Sequence, residues 1–141
     1  MNDSPTLVCI PPKQIDELWP HIEPLIDDAY ARFGSQDERR KVEDDIRNGL
    51  ALVWIAWSDD HHIEAALVTD LLQEDGAVVC RLRALSGRKL TRWLGLLAEV
   101  EKHARAEKCK CVRYFGRLGW KAMLGPEYKV THVQAEKQLK N

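Results

Sequence analysis

The sequence lacks the features that assign a chain to several specialised classes. No apolar run among its 141 residues is long enough to span a bilayer. Its 21 basic and 22 acidic residues nearly balance, and no basic block stands out, so neither a membrane partner nor a nucleic-acid partner is expected. The segment Met1–Pro5 lacks the basic and then apolar pattern of a signal peptide. A cytoplasmic location is therefore expected.

Cysteine spacing argues against a structural zinc site. The cysteines form no pair of C-x-x-C knuckles and lie in or beside strand-like segments, at Cys9, Cys80, Cys109 and Cys111. We expect buried, reduced thiols, and no nearby histidine in the sequence supports Cys111 as a nucleophile. The polar stretch Asp59–His62 contains metal-binding residue types, but a hairpin turn explains it more simply. No metal is expected.

The composition predicts one soluble domain over residues 1–141. Apolar residues make up 45% of the chain and charged residues 30%, which is ordinary for a globular protein that buries a core. There is no internal repeat, low-complexity tract or linker. A division into smaller domains is therefore not expected.

Apolar periodicity predicts a mixed α/β (α+β) fold with helices flanking a mostly antiparallel central sheet. The predicted order is strand, two helices, three strands, helix, strand, short helix, strand. The first helical pattern covers Ile15–Phe33, and Pro20 and Pro24 within it predict a kink or a restart near Trp19–Pro20. The second helix is polar, with Ser35 and Glu38 as a capping box.

The middle of the chain predicts a meander of three strands joined by short loops, over Leu50–Trp57, Ile63–Leu72 and Ala77–Leu85. The first of these is continuously apolar and is expected to be covered on both faces. Ser86 is expected to cap the long helix that follows, and a right-handed crossover then leads to a parallel strand over Cys111–Phe115. The last strand, Tyr128–Ala135, offers an edge for a second copy of the chain.

The start of the long helix is unusually basic. Arg88, Lys89 and Arg92 crowd its first turn, where aligned peptide dipoles already place a partial positive charge. An anion bound to the free amides would relieve this repulsion, as at many phosphate sites. The alternative is that the three long side chains simply extend into water.

The element order resembles that of the GNAT N-acetyltransferase superfamily over nearly the whole chain, and most closely the compact GNAT-like proteins of phages and prophages. Two segments carry the resemblance besides the order: Leu85–Arg92, and Gly116–Trp120 before the short late helix. The family signature is Arg or Gln, two residues, Gly, one residue, then Gly or Ala. Ser86–Thr91 is the closest register, with Lys89 and Thr91 at the two small-residue positions.

The resemblance implies acetyl-CoA as co-substrate, in the following arrangement. The strand edge at Arg83, Ala84 and Leu85 would face the pantetheine arm through its backbone. The pyrophosphate would lie at the helix start, at Gly87, Arg88, Lys89, Leu90, Thr91 and Arg92, with the three basic residues as charge partners. The acceptor would be an amine of a small molecule or peptide, bounded by the helices of residues 14–48.

Acyl transfer also needs proton transfer, for which the candidate residues are few. Tyr114 and Tyr128 are the candidate catalytic residues, although each is also explained as a packing aromatic. Asp70 and Glu64 are possible bases, and solvated strand carboxylates are the simpler interpretation. His103 is expected to be solvated, and the tryptophans to form core or cleft wall, at Trp54, Trp57, Trp93 and Trp120.

Three hypotheses follow. The first is an acyl-CoA-dependent N-acyltransferase in which an amine attacks the thioester directly. The second is a GNAT-fold protein of phage or prophage type that binds or assembles without catalysis, alone, as a homodimer or with a phage protein. It is suggested by Lys89 and Thr91, and by the lack of any acid in Ala77–Leu85. The third, a sensor of phosphate-bearing ligands, would use the same basic turn.

Overall fold

A computed structural model describes residues 6–32, 36–57, 62–87 and 97–114, with the single positions 129 and 137. The strands are β1 (Thr6–Cys9), β2 (Leu52–Trp57), β3 (Ile63–Glu74), β4 (Ala77–Gly87) and β5 (Cys111–Tyr114). The helices are α1 (Ile15–Arg32), α2 (Gln36–Arg47) and α3 (Leu97–Ala106), and a single 3-10 turn covers Pro12–Gln14. The predicted short late helix and last strand lie outside the described residues.

The five strands form one sheet in chain order, β1-β2-β3-β4-β5. Each of the three pairs among β1, β2, β3 and β4 is antiparallel, whereas β5 runs parallel to β4. This arrangement confirms the predicted meander and the parallel crossover strand, and with them the mixed α/β fold class.

The β3–β4 hairpin fixes the register of the two longest strands. Asp75 and Gly76 both have left-handed backbone, with φ of 52° and 78°, as a two-residue type I′ turn requires. The turn pairs Glu74 with Ala77 and, farther along, Asp70 with Arg81. A carboxylate and a guanidinium are thereby placed directly opposite each other.

Apolar side chains cover both faces of the sheet. One cluster packs α1 and α2 against residues such as Val53, Ile55 and Val68. The other packs α3 against Trp54, Leu67 and Leu82. The four consecutive residues 53–56 are all buried, which confirms that β2 is covered on both faces.

Helix α1 is a single element that continues through both Pro20 and Pro24, so the expected restart is wrong. Prolines inside a helix each remove a backbone hydrogen bond. Burial of the apolar face of the helix against the sheet offsets this cost. Five residues of that face are buried: Ile15, Trp19, Ile22, Ile26 and Tyr30. No helix of the described residues is long and apolar enough to cross a membrane.

Arg39 joins α2 to α1. Its buried guanidinium donates to Asp27 at 2.6 Å, to Glu43 at 3.0 Å and to Glu23 at 3.1 Å. It also lies 5.8 Å from the centre of the Trp19 ring. Glu23 and Asp27 of α1 bind this cation across the helix pair, while Glu43 supports it from within α2.

Stability should fall on acidification, partly through Glu43. Burial acts to raise the pKa of Glu43, but hydrogen bonds from Arg39 and Arg47 outweigh it and lower that pKa below its ordinary value. A lowered folded-state pKa stabilises the fold above the unfolded value, and this contribution is lost as pH falls through the folded pKa. The Glu43→Gln variant should therefore lose less free energy of unfolding than the wild type between roughly pH 5 and pH 3.

Urea denaturation across this pH range measures the effect. The matched control is Asp37→Asn, because Asp37 is 91% exposed beside an equally solvated Arg40. The control should follow the wild-type profile. An E43Q profile as steep as that of the wild type would contradict the assignment.

Candidate functional site: the end of strand β4

The described pairing of the two parallel strands covers four residues of each. It joins Val79–Leu82 of β4 to Cys111–Tyr114 of β5, and the chain after Tyr114 lies outside the described residues. Strand β4 continues for five residues, Arg83–Gly87, still paired to β3 on its other side. None of residues 62–87 and 97–114 pairs with this segment on the β5 side, and a peptide edge of this kind can accept an extended ligand.

A β-bulge directly follows the last described pair between β4 and β5. Val68 pairs with Ala84 and Thr69 with Leu82, so Arg83 is an extra residue on β4. The extra residue shifts the alternation of side chains between the two faces of the sheet. As a result, Leu82 and Leu85 both pack on the α3 side, while Ala84 packs on the α1 side. A bulge bends and twists its strand and changes the direction of its backbone groups.

Four charged side chains surround the bulge on the face covered by α1 and α2. Arg81 donates to both carboxylate oxygens of Asp70, at 3.0 and 2.7 Å. Arg83 donates to Asp45 at 2.6 Å and makes a longer contact of 3.4 Å with Asp70. The side chains of Arg83 and Asp70 are each only 9% exposed. Two cations and two anions thus form a balanced, largely buried cluster.

The pKa values of Arg81 and Tyr30 are both raised at this cluster. The hydrogen bonds that Arg81 donates to Asp70 raise the pKa of Arg81 above its ordinary value, against the effect of burial. Burial raises the pKa of Tyr30, partly opposed by the charge of Arg83. Tyr30 therefore remains protonated at neutral pH, and its hydroxyl donates to the backbone carbonyl of Arg83 at 3.4 Å.

Ser86 is the penultimate residue of β4, and the helix start that it is predicted to cap lies outside the described residues. Its side chain is buried and donates to Asp28 Oδ2 of α1 at 2.7 Å. The Ser-Gly pair has the composition of a helix start, but here its backbone pairs with Ala65 and Ala66 of β3. The hydroxyl consequently ties the end of the strand to α1.

Gly87 is required for the close approach of two strands. A Cβ atom added there would clash with Ala65 Cβ and lie only 2.5 Å from the Glu64 carbonyl oxygen and 2.6 Å from Ala65 Cα. Because two of these atoms are backbone, neither can move aside cheaply. Gly87 therefore has a structural role in the sheet, in addition to the cofactor role predicted for it.

The Gly87→Ala variant should lose about 2 kcal/mol of unfolding free energy, as for other overpacked sites. Thermal and urea denaturation measure this loss. Gly49→Ala is the control, since the added methyl meets nothing within 4 Å and only the left-handed φ of 75° opposes it. The control should lose about 1 kcal/mol. A G87A protein as stable as the wild type would contradict the close packing.

The structure brings four of the predicted cofactor residues together at one strand end: Arg83, Ala84, Leu85 and Gly87. Ala84 and Leu85 are buried on opposite faces, so they can meet a ligand at this edge only through backbone groups. Residues Arg88, Lys89, Leu90, Thr91 and Arg92 lie outside the described residues. So does Tyr128, whereas Tyr114 lies at the end of β5, partly buried on the α3 side and paired with Leu82.

Other sequence expectations need correction. Asp70 is not solvated, because two arginines hold it, and Glu64 is partly buried. His103 is only partly exposed, and its ring makes a T-shaped contact with Trp54 at 5.5 Å between centroids. Trp54 is core as expected, and Trp57 packs partly buried against the α1–α2 cluster. Trp93, Trp120 and the Asp59–His61 part of the polar turn lie outside the described residues.

The thiols divide by position. All four cysteines are free, as expected, and Cys80 is fully buried, where burial raises its pKa to about 11. Cys9 and Cys109 are only partly buried and Cys111 is exposed, so the expectation of burial is wrong for Cys111. Among the residues that the structure describes, no group of three or more potential ligands is arranged to hold a metal ion.

Sequence reasoning missed Asp45, Tyr30 and Asp28, the three helical residues that contact β4 at the bulge and beyond. Their contacts join residues 38 to 58 positions apart, for which local periodicity gives no signal. The pairing of Asp70 with Arg81 could have been predicted from the sequence. A two-residue turn at Asp75–Gly76 pairs Glu74 with Ala77, and counting back along both strands from that pair places Asp70 opposite Arg81.

The fold has well-defined counterparts among solved structures. A GNAT family acetyltransferase from Staphylococcus aureus aligns over 96% of this chain and 99% of its own, with a TM-score of 0.64 and 16% identity. An aminoglycoside acetyltransferase from an uncultured soil metagenomic sample, solved with sisomicin, covers 96% and 97%, with a TM-score of 0.68 and 9% identity. A predicted acetyltransferase from Clostridium acetobutylicum, solved with acetyl-CoA, covers 94% and 96%, with a TM-score of 0.63 and 11% identity.

These identities are low, and the likeness is one of architecture. No protein-family model matches the sequence, and no curated protein matches it either. The alignments nevertheless extend over nearly the full length of each chain. Together with the sheet order and the parallel fifth strand, they show that this chain has the GNAT acetyltransferase fold.

Proposed function

We propose that this protein is an acyl-CoA-dependent N-acyltransferase that uses acetyl-CoA as donor. The observation that carries the proposal is the edge of Arg83–Gly87 on the β5 side, with which none of the described residues pairs. A pantetheine arm contains two amide groups and can hydrogen-bond to such an edge as an added strand does. Support also comes from a solved structure of the same fold with acetyl-CoA.

The anion site completes this proposal. Arg88, Lys89 and Arg92 follow directly after β4 and supply positive charge for the pyrophosphate of the cofactor. Strand β4 ends at Gly87, so these basic residues follow the Arg83–Gly87 edge directly in the sequence. Acetyl-CoA fits both features, because its phosphates would bind the basic residues and its pantetheine amides would bind the strand edge.

The reaction is direct attack of an unprotonated amine on the thioester carbonyl. The amine nitrogen forms a bond to the carbonyl carbon, the carbon–sulfur bond breaks, and the amine proton leaves while the thiolate takes one up. Backbone N–H groups of the β4 edge are the candidate donors to the developing oxyanion. Tyr114, at the last paired position of β5, is the described candidate for returning a proton to the thiolate, and Tyr128 is the other.

Turnover tests the proposal. Purified protein is incubated with acetyl-CoA and a panel of primary amines, comprising polyamines, aminoglycosides, amino-sugars and peptides with free N-termini. Release of CoA is followed by chromatography and the acetylated product by mass spectrometry. Amine-dependent release of CoA is the expected result, and a Tyr114→Phe variant should reduce it without changing the affinity for acetyl-CoA. No turnover with any amine would favour the alternative.

The alternative is a GNAT-fold protein that binds a ligand or a protein partner without catalysis. The observation that favours it is the engagement of Asp70, the central strand carboxylate, with Arg81 and Arg83, which leaves it unsuited to act as a base. Lys89 and Thr91 at the small-residue positions point the same way. Binding of acetyl-CoA without turnover, or assembly with a second copy or a phage protein, would support this function.

A further inference from the structure

We infer that Arg83 is a positioning residue whose ion pair with Asp45 fixes the β4 bulge, and thereby the course of the edge that faces the pantetheine arm. This inference rests on the proposed function. The Arg83 side chain lies on the face covered by α1 and α2, so its assigned role differs from direct cofactor contact at the strand edge. Its partner Asp45 comes from α2, outside the predicted cofactor segment.

The bulge is held from three elements at once. The guanidinium of Arg83 contacts Asp45 of α2 at 2.6 Å and Asp70 of β3 at 3.4 Å. The backbone carbonyl of the same residue accepts from Tyr30 of α1. Arg83 is also the first residue of β4 beyond the last described pair with β5, Leu82 with Tyr114. The extra residue of the bulge is therefore constrained by α1, α2 and β3 together.

Asp45 is a fixed anchor. It lies in the last turns of α2, where its carbonyl oxygen accepts from the backbone amides of Leu50 at 2.7 Å and Ala51 at 3.2 Å. A carboxylate near a helix C-terminus is unfavourable because it faces the negative end of the helix dipole. The nearby guanidinium of Arg83 compensates this charge, and the side chain of Asp45 is only 17% exposed.

The physical consequence is a register effect on ligand binding. The extra residue of a bulge can move to a neighbouring position of the strand unless a side chain fixes it. A shift of the bulge by one residue turns the backbone N–H groups at that position toward the other edge of the strand. Loss of the Arg83–Asp45 pair should weaken contacts with the pantetheine arm. Contacts with the phosphates at the helix start, after Gly87, should be unaffected.

The test compares two ligands that differ only in the pantetheine arm. Calorimetry measures the affinity of the Arg83→Met/Asp45→Asn double variant for acetyl-CoA and for 3′-phospho-ADP, the nucleotide part of CoA. This variant keeps the net charge and leaves the Arg81–Asp70 pair intact. Acetyl-CoA should bind about tenfold more weakly, the loss expected for one or two ligand hydrogen bonds, while 3′-phospho-ADP binds as before.

Two further variants separate positioning from general destabilisation. Asp45→Glu keeps every charge and lengthens the contact by one methylene, so it should fold normally and still weaken acetyl-CoA selectively, by about threefold. Arg113→Met/Glu74→Gln removes another bidentate pair, with contacts of 2.6 and 2.9 Å, from the end of the hairpin opposite the bulge. This control should leave both affinities unchanged.

The outcomes distinguish this inference from the function on which it rests. No binding of acetyl-CoA by the wild-type protein would overturn both. If the wild-type protein binds acetyl-CoA and R83M/D45N binds it with the same affinity, the positioning role alone would be overturned. If the double variant does not fold, unchanged affinity in D45E would have the same meaning. An equal loss for acetyl-CoA and 3′-phospho-ADP would also overturn it, because that pattern indicates a general structural effect.

Discussion

Charge reversal at Arg88 and Lys89 is expected to abolish measurable binding of acetyl-CoA. Each charge-assisted hydrogen bond to a phosphate contributes about 1.5–3 kcal/mol, and glutamate in its place adds repulsion. The R88E/K89E variant should therefore bind about 100-fold more weakly or worse. Isothermal titration calorimetry of the folded variant measures this loss, with thermal denaturation to verify that the fold is retained.

The matched control is Lys102→Glu/Arg105→Glu. Both residues are exposed on α3, and the double change alters the net charge by the same amount as R88E/K89E. Long-range electrostatics alone would weaken binding equally in both variants, whereas a local phosphate site affects only R88E/K89E. Unchanged affinity in R88E/K89E would overturn the assignment of the anion site to the helix start.

Replacement of Asp70 by alanine should destabilise the fold by about 3–5 kcal/mol, the range measured when one partner of a buried ion pair is removed. Asp70 accepts two hydrogen bonds from Arg81 and contacts Arg83. Without it, the balanced cluster at the bulge would hold two guanidinium groups and only Asp45. Urea denaturation at neutral pH measures the free energy of unfolding.

Asp37→Ala is the control for this prediction. Asp37 also pairs with an arginine, at 3.0 Å from Arg40, but both side chains are largely in water. Its removal should cost less than about 0.5 kcal/mol, as for most surface pairs. A D70A protein that loses no more than D37A would mean that the buried cluster does not stabilise the fold.

Local patterns in the sequence were sufficient to predict the order of the described elements and the parallel crossover strand. Alternation, the Asp75–Gly76 turn and the apolar stripe of α1 each depend on near neighbours along the chain. The strand β2 was predicted to be covered on both faces for a similar reason, its unbroken apolar run. The fold could therefore be predicted well, apart from the restart at Pro20, where burial of the α1 stripe outweighs the local effect of proline.

The candidate site could be predicted only as a segment. Ser86 and Gly87 have the composition of a helix start, and only the pairing with Ala65 and Ala66 of β3 reveals that the strand includes them. The bulge at Arg83 depends on how β4 fits between β3 and the helices, which no local signal encodes. The partners of the site, Asp45 and Tyr30, are distant in sequence, so their roles required the tertiary structure.

Calorimetric titration of the wild-type protein with acetyl-CoA, at low and at moderate salt, tests the central claim most directly. The predicted result is a Kd on the order of micromolar that weakens as salt is added, since exposed phosphate contacts are screened. No heat and no thermal stabilisation at millimolar acetyl-CoA would contradict the claim that the end of β4 and the basic turn after it form a cofactor site.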